Sequence, residues 1–231
     1  MAFQKLSFFK FKPTKNINLI NYSNELLNWE SDGEKFVINE CSYDWMDGYY
    51  VFEHTKNETR YNFLVPKVEI IPVKTTSVAK FSISLKDKLI DVWGNKNIVL
   101  KLLTTLSIIL HNEVIIDNIS TDIEDAIYNS FLEKDVSITK VKIEDVIIDD
   151  GIIANCSVDL SAYDNYKVIL KKYLKNIKQL SFSAFDSDSE NKVAFTIFSS
   201  GSVVIYKNKE DIEESVLEII KKICFPKGSE K

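Results

Sequence analysis

The residues that could do catalytic chemistry are few and widely spaced in this sequence. The two histidines, His54 and His111, lie far apart, and no Gly-x-Ser-x-Gly segment accompanies them, so a hydrolase triad has no support. The six glycines form neither of the common phosphate-cradling loops. The three cysteines include no Cys-x-x-Cys pair, which predicts reduced thiols rather than a zinc site. The sequence therefore favours a protein that is not an enzyme and holds no metal ion or cofactor.

An unusual cluster of aromatic and acidic residues lies between positions 44 and 53. Trp45, Tyr49 and Tyr50 belong to a Trp-Met-Asp-Gly-Tyr-Tyr segment, and such side chains often anchor protein interfaces. An exposed loop here would bind a protein partner, whereas a loop folded onto a sheet would bury its own aromatic rings. The acids leave open an alternative, an enzyme or nucleotide sensor that uses carboxylates of the sheet: Asp44, Asp47 and Glu53.

A run of lysines without acids spans residues 167–178. Lys167, Lys171 and Lys175 fall in a segment with helical periodicity, and closely spaced lysines on a helix can meet phosphate groups. The same pattern also fits a solvated helix face with no ligand.

Composition limits the class of protein. The chain has 231 residues, of which 45% are hydrophobic and 27% charged, so disordered and collagen-like classes are excluded. A net charge of -5 excludes a uniformly basic protein that coats nucleic acid. Apolar stretches are far shorter than a membrane span and the N-terminus has no signal-like core, which predicts a cytoplasmic protein without a membrane segment. The abundance of Lys, Ile and Asn suits an AT-rich bacterial or phage genome.

Alternating apolar residues predict two hairpins, each followed by a helix. The first pairs 79–85 with 88–93 and precedes a helix at 96–111 that Asn95 can cap. The second pairs 193–198 with 202–206 across Gly201 and precedes a helix at 209–223. The other predicted helices are 22–29, a segment from Thr121 to 134 that opens with a capping-box pattern, and 164–176. The remaining predicted strands are 3–12, 35–41, 49–54, 61–65, 68–73, 136–143, 144–148, 152–160 and 179–185.

The two hairpin–helix segments indicate an internal repeat. Trp93 and Tyr206 occupy matching positions about half the chain apart, and each segment has a strand and a helix upstream. We therefore predict an N-terminal pseudo-repeat over residues 1–118, with an insertion at about 41–73, and a C-terminal pseudo-repeat over 119–231. Coincidence remains the alternative, because strand–turn–strand–helix is a common order.

The C-terminal half resembles one repeat of the TATA-box-binding protein family over residues 152–225. Ile153-Ala154-Asn155 matches the Ile-x-Asn motif of that family's first strand, and 197–201 match its Ile-Phe-Ser-Ser-Gly phrase. Two departures stand out: Tyr206-Lys207-Asn208 replaces the Gly-Ala-Lys phrase, and the first half has Leu85 or a neighbour in place of a Phe.

The resemblance implies a fold and a mode of binding. The fold would be α+β, with duplicated strand–helix–antiparallel sheet–helix units forming one curved sheet and the helices on one face. In that family the open face straddles the DNA minor groove, so the resemblance implies that Asn155 contacts base edges and that Phe198 wedges between base steps. The residues alone leave open that Phe198 is a core side chain and that Asn155 bonds to backbone.

These observations lead to one functional expectation and its alternatives. We expect a non-enzymatic binding module that uses an open sheet face for nucleic acid or a protein partner, such as an accessory protein of a bacterial or phage DNA-transaction or defence system. The expected nucleic-acid contacts are Asn155, Phe198, Lys167, Lys171 and Lys175. The expected partner contacts are Trp45, Tyr49 and Tyr50. The oligomeric state is left open by the sequence.

Overall fold

The computed structural model describes residues 4–29, 31, 33–163, 165–186, 191–207 and 212–225. These residues form eleven strands and five α-helices with antiparallel pairing, which confirms the predicted α+β class. The chain divides into two compact units. We call residues 8–117 the N-terminal unit, and residues 118–231 together with 1–7 the C-terminal unit.

The N-terminal unit is an antiparallel sheet with two helices. Its strands have the order β2-β3-β4-β5-β1, with β6 pairing to β1. Helix α2 begins where the Asn95 side chain accepts hydrogen bonds from the backbone N–H groups of Asn97 and Ile98, as the sequence predicted. The elements are β1 (Gln4–Pro13, of which residues 4–7 belong to the C-terminal unit), α1 (Leu19–Leu27), β2 (Glu34–Cys41), β3 (Trp45–Asn62), β4 (Lys67–Ser84), β5 (Leu89–Trp93), α2 (Lys96–Ile109) and β6 (Val114–Asn118).

The C-terminal unit is also an antiparallel sheet, with three α-helices among its described residues. Its strand order is β8-β7-β9-β10-β11, and residues 4–7 of β1 pair with β11. Helix α3 is capped by Asp122 rather than by Thr121. The Asp122 side chain accepts hydrogen bonds from the backbone N–H groups of Glu124 and Asp125. The elements are α3 (Ile123–Ser130), β7 (Val136–Asp149), β8 (Ile152–Asp159), α4 (Tyr166–Tyr173) followed by a 3₁₀ turn (Leu174–Asn176), β9 (Ile177–Asp186), β10 (Asn191–Phe198), β11 (Ser202–Ile205) and α5 (Glu214–Cys224).

In each unit helices cover one sheet face. In the N-terminal unit, α1 packs on β2 and β3, and α2 packs on β4. The core between them is apolar and fully enclosed, with Phe81 and Leu102 at 0% exposure. In the C-terminal unit, α3 and α5 pack on each other and on β9, above the stacked rings of Phe182 and Phe195. Burial of these side chains is the main stabilising term, at roughly 25 cal/mol per Å² of apolar surface.

The longest strands form a hairpin that differs from the prediction. The sequence predicted four short strands between 49 and 85, but β3 and β4 pair continuously from Trp45↔Ser84 to Asn62↔Lys67. Among the described residues, β2 pairs with β3 only as far as Phe52, and β5 pairs with β4 only from Lys80 onward. Beyond these points the two strands pair only with each other. We call residues 54–75 the ribbon; it falls largely within the segment 41–73 that was predicted to be an insertion.

Membrane-spanning helices are absent from the part of the chain that the structure describes, since none of its five helices is long and apolar enough to cross a bilayer. The predicted start of the last helix, Asn208 with its neighbours up to 211, lies outside the described residues, and α5 begins at Glu214.

Two acidic residues of the N-terminal unit are buried, Glu34 and Asp47, and Glu34 joins the sheet to helix α2. Glu34, on β2, has 7% of its surface exposed. Its Oε2 accepts hydrogen bonds from the Tyr50 hydroxyl at 2.8 Å and the Thr105 hydroxyl at 2.9 Å, and its Oε1 lies 2.7 Å from Lys101 Nζ. Burial by itself raises the pKa of Glu34, but the bonds from Lys101, Tyr50 and Thr105 together outweigh it and hold the pKa below its usual value.

We predict that Glu34 makes the stability of the N-terminal unit pH-dependent. Because its folded-state pKa is lowered, the stabilisation is present above pH 4.5 and is lost as pH falls through the folded-state value. Glu34→Gln should lower the free energy of unfolding by about 2 kcal/mol at neutral pH and by less in acid. All three tryptophans, Trp29, Trp45 and Trp93, belong to this unit, so their fluorescence during urea unfolding reports on it.

Glu53→Gln is the matched control for this experiment. Glu53 forms a 3.3 Å ion pair with Lys74, but both side chains are at least half exposed, so its loss should change stability little. Equal effects of the two substitutions at neutral pH, or an effect of Glu34→Gln that does not shrink in acid, would contradict the assignment.

A second prediction concerns two glycines of the C-terminal unit with the same backbone conformation. Gly151 and Gly201 both have φ of +79°. A Cβ on Gly151 would meet nothing within 4 Å, whereas one on Gly201 would lie 1.9 Å from the Ile119 carbonyl oxygen. Gly151→Ala should therefore cost about 1–2 kcal/mol of backbone strain, and Gly201→Ala about 2 kcal/mol more. Urea unfolding followed by far-UV circular dichroism measures the free energy of unfolding of both variants. Equal losses would show that the close approach of Gly201 to Ile119 does not restrict this turn.

Candidate functional site

The helix-free face of the C-terminal sheet carries mostly polar side chains. Strand alternation sends one row of apolar residues toward the helices, and the register fixes that row across five strands: Leu6, Val203, Ile197, Leu180 and Val141. Their sequence neighbours therefore lie on the opposite side, which we call the polar face. Its members are Lys5, Ser7, Ser137, Lys140, Lys142, Glu144, Ile147, Ile153, Asn155, Ser157, Asp159, Gln179, Ser181, Ser183, Phe185, Lys192, Ala194, Thr196, Phe198, Ser202, Val204 and Tyr206. Ile147 and Ile153, which pair with each other near the β7–β8 turn, are exposed apolar members.

Small hydroxyl side chains make the middle of the polar face flat. The Ser181 and Thr196 hydroxyl oxygens lie 2.9 Å apart on neighbouring strands, and the Thr196 hydroxyl reaches the Tyr206 hydroxyl at 3.5 Å. These contacts leave Thr196 almost fully covered, while Ala194 beside it is exposed. Ala194 itself adds little bulk, and its neighbour across β11 is Tyr206, whose N–H donates to the Ala194 carbonyl. A flat ligand at Ala194 would therefore lie beside the Tyr206 ring.

Lysines outnumber carboxylates on the polar face. One register row runs from Lys5 through Thr196 to Lys140, a span of four strand spacings or about 19 Å. The other two lysines of the face are Lys142 and Lys192. Its two carboxylates are Glu144 and Asp159.

Both carboxylates are already bonded. Glu144 pairs with Lys142 at 2.6 Å. The hydroxyl and the backbone N–H of Ser161 donate to Asp159, and these bonds hold the pKa of Asp159 below its usual range. Lys140 also lies directly opposite Asp159 and contributes to the lowered pKa of that carboxyl. Lys5 and Lys192 therefore carry the net positive charge of this face, despite the acidic whole chain.

Three aromatic rings border the same face. Phe185 and Tyr206 are 40% and 41% exposed, and Phe198 is half-buried at the end of β10. Phe185 lies opposite Lys192, and Phe198 lies opposite Gln179. Exposed rings beside cations can stack on planar ligands, which small hydroxyl groups alone cannot do.

Two of the expected nucleic-acid contacts share this face. Phe198 and Asn155 lie on β10 and β8, three strand spacings or about 14 Å apart across the sheet, and Asn155 is offset from the row of Phe198 by two residues along its strand. The Asn155 side-chain oxygen also accepts a hydrogen bond at 3.0 Å from the N–H of Asp145, whose φ is +56° at an irregularity in the β7–β8 pairing. Asn155 thus has a structural bond whether or not it meets a ligand.

The structure does not bring the expected lysines of α4 to this face. Lys167 Nζ lies 4.5 Å from the centre of the Phe131 ring, and Tyr166 packs against the same ring. Phe131 ends α3, which packs on the apolar side of β7 and β9. Lys171 and Lys175 are exposed along α4 and the 3₁₀ turn that follows it, so these lysines belong to the helical side.

The expected partner contacts do not form one exposed loop. Trp45, Tyr49 and Tyr50 all lie in strand β3, where alternation sends Tyr49 and Tyr50 to opposite sides. Trp45 is 36% exposed and Tyr49 is half-buried. Tyr50, by contrast, is fully buried in the core and donates to Glu34, so a partner cannot reach it.

The acids that left an enzyme or nucleotide sensor open already serve as local acceptors. Asp47 accepts from the Asn39 amide at 3.2 Å and the Glu40 N–H at 3.1 Å. The Ser42 hydroxyl donates to Asp44 at 3.1 Å, and Glu53 pairs with Lys74. Within the described residues, no three His, Cys, Asp or Glu side chains converge as a metal ion would need.

Sequence reasoning expected an open sheet face with Asn155 and Phe198 on it but missed the other members of the polar face. A signal existed in part, since Ser181 and Ser183 alternate with Leu180, Phe182 and Ala184 along β9. The rest of the face depends on pairings between distant segments, such as β1 with β11, that no local pattern reveals. No protein-family model and no curated protein matches this chain.

We predict that Asn155 stabilises the β7–β8 hairpin. Asn155→Ala should lower the free energy of unfolding of the C-terminal unit by about 1 kcal/mol, because the Asp145 N–H loses its acceptor. Asn155→Asp keeps an acceptor and should retain most of the stability. Ser157→Ala, two residues along the same strand face, is the control. Urea unfolding followed by far-UV circular dichroism checks this, and wild-type stability of Asn155→Ala would refute it.

Proposed function

We propose that the protein is a non-catalytic module that binds nucleic acid on the polar face of its C-terminal unit. The observation that carries the proposal is the combination, on one helix-free sheet face, of exposed aromatic rings, four lysines and small hydroxyl side chains. The lysines would neutralise phosphates, and the rings of Phe185, Phe198 and Tyr206 would stack on bases.

Single-stranded nucleic acid fits this surface better than duplex. Stacking on rings requires bases that are unpaired or turned outward, and the three rings lie along neighbouring strands β9, β10 and β11 or directly after them. A duplex straddled by the face, the mode implied by the TATA-box-binding resemblance, would use Phe198 as a wedge and Asn155 as a base-edge contact. Both modes use the same face and differ in the form of nucleic acid that binds.

We also infer that the two units are divergent copies, as the resemblance implies. In the N-terminal unit the strand order is β2-β3-β4-β5 followed by β1, and in the C-terminal unit it is β7-β9-β10-β11 followed by residues 4–7 of β1. In both, a helix follows the last strand of the hairpin, α2 after β5 and α5 after β11. In this correspondence α3 takes the place of α1, so strand β8 and helix α4 are additional in the C-terminal unit. The sequence match instead sets 152–160 and the helix from 164 opposite the first strand and helix, so the structural correspondence does not support the Ile-x-Asn match at Asn155. This inference includes the expectation, taken from the resembled family, that the duplicated units contribute to one curved sheet.

The test is a binding assay by fluorescence anisotropy with labelled oligonucleotides. Thymine and uracil oligomers of about 30 nucleotides and a duplex of equal length cover the candidate forms, since sheet-based sites take about 4–16 nucleotides. We expect the single strands to bind more tightly than the duplex. The logarithm of affinity should fall with the logarithm of salt concentration with a slope of about -3, as three or four neutralised phosphates require.

Two double charge reversals locate the site. Lys5→Glu with Lys140→Glu changes the polar face, and Lys171→Glu with Lys175→Glu makes the same charge change on the helical side. We expect the first pair to weaken binding at least tenfold and to lower the salt slope, and the second to change affinity less than threefold. Phe198→Ala should weaken binding about tenfold without changing the slope.

Two results would contradict the proposal. Absence of binding to every oligonucleotide at low salt would remove nucleic acid as the ligand. A loss of binding that is equal for both pairs, or larger for the α4 pair, would move the site away from the polar face to the helical side.

A further inference from the structure

The ribbon of the N-terminal unit projects as an isolated two-stranded element. Its nine paired rows, from His54↔Thr75 to Asn62↔Lys67, extend about 30 Å, and a turn of residues 63–66 closes them. Two-stranded ribbons are marginally stable in water by themselves, since they lack a face buried against another element. A ribbon of this length therefore calls for a second contact.

The two faces of the distal ribbon have opposite character. One face carries ion pairs, Arg60 with Glu58 at 3.0 Å and Lys67 with Glu69 at 2.9 Å. The other face is exposed and largely apolar on β4: Tyr61 lies opposite Val68, and Ile70 lies two rows further, opposite Thr59. Pro72 follows after two more rows, opposite Asn57. We call this second surface the apolar ribbon face; it comprises Tyr61, Phe63, Val68, Ile70 and Pro72.

The size of this surface matches what a stable interface needs. Phe63 is 86% exposed and Ile70 69%, and the adjoining turn adds Leu64 at 94%. Together with Tyr61, Val65 and Val68 they offer on the order of 800 Å² of apolar surface, the share that each partner contributes to an interface of standard size. Exposed apolar patches of this extent mark interaction sites.

The charge distribution argues for a face-on contact rather than insertion of the tip into a bilayer. Lys67 and Arg60 flank the turn on the ion-paired face, at the same height as Phe63 and Tyr61 on the apolar one. Insertion of the tip would desolvate both ion pairs, whereas face-on packing buries the apolar side alone and leaves the ion pairs in water.

We propose that the apolar ribbon face binds the same face of a second copy of this chain. From Phe63 to Pro72 the face carries no charge, and Lys74, two rows beyond Pro72, is paired with Glu53. The distal face therefore needs no oppositely charged partner, and a two-fold axis can place it against itself. Two ribbons packed this way form a small sandwich with apolar residues inside and ion pairs outside, as aligned sheets do. The apolar ribbon face together with the adjoining turn, Leu64 and Val65, matches one half of a stable dimer interface, so the turn belongs to the proposed contact. This assembly goes beyond the proposed binding function and uses the other unit.

Sedimentation equilibrium across a concentration series tests the dimer with a matched pair of variants. Ile70 lies on the apolar ribbon face, and its neighbour Ile71 lies on the ion-paired face. Wild type should dimerise with a micromolar or tighter Kd, the range of interfaces of this size. Ile70→Lys should weaken dimerisation at least about 100-fold, because a symmetric interface buries the new charge twice. Ile71→Lys should leave the Kd within threefold.

Tryptophan fluorescence during unfolding confirms that both variants keep the N-terminal unit folded, so a loss of dimer cannot be ascribed to misfolding. As a second measurement, amide exchange at residues 61–72 should slow with wild-type concentration and should not slow in Ile70→Lys. Three outcomes overturn the proposal: wild type that stays monomeric at about 100 μM, equal effects of the two lysine substitutions, or a monomer that floats with anionic lipid vesicles and loses this on Ile70→Lys.

Discussion

The two-residue period of the antiparallel strand is the constraint on which this structure depends. Helices cover one face of each sheet, so the pairing register decides which side chains are buried and which remain available. A one-residue slip of β10 against β9 would exchange Phe195 and Ile197 with Thr196 and Phe198, placing hydroxyl groups under the helices. The apolar core and the polar face are therefore two outcomes of one register, and neither can be altered alone.

Local features hold that register. Gly201 allows the β10–β11 turn to pass within a Cβ's reach of Ile119, and no other residue fits there. The irregularity at Asp145 is held from two sides, by the Asn155 side chain and by the Asn176 amide, which donates to the carbonyls of Glu144 and Asp145. In the N-terminal unit the buried Glu34 fixes β2 against α2 through Thr105 and Lys101. Buried polar groups of this kind favour one packing because a shifted one would leave them without partners.

The sequence allowed prediction of what depends on neighbours in the chain. The β4–β5 and β10–β11 hairpins, the Asn95 cap and the α+β class followed from alternation and capping patterns. The ribbon did not, because residues 53–60 are almost all polar and read as a loop; their strand is stabilised by pairing with β4, not by an apolar face. Tyr50 was expected at a surface for a related reason, since Gly48 in the Trp-Met-Asp-Gly-Tyr-Tyr segment indicates a loop. In strand β3, Gly48 lies so close to the carbonyl oxygen of Val37 on the neighbouring strand β2 that a Cβ would not fit.

The acidic net charge and a lysine-bearing face are compatible because electrostatics in salt is local. At physiological ionic strength the screening length is about 8 Å, so a phosphate near Lys140 or Lys5 responds to the few charges around it and hardly to acids elsewhere. Because the whole chain is acidic, it would attract nucleic acid only weakly from a distance. A single polar face with three or four phosphate contacts would therefore bind modestly. The proposed dimer would carry two such faces. Two linked faces that bind one nucleic acid would gain affinity from effective concentration without any new contact. The apolar ribbon face and the polar face would then be complementary: one supplies the valency that the other needs.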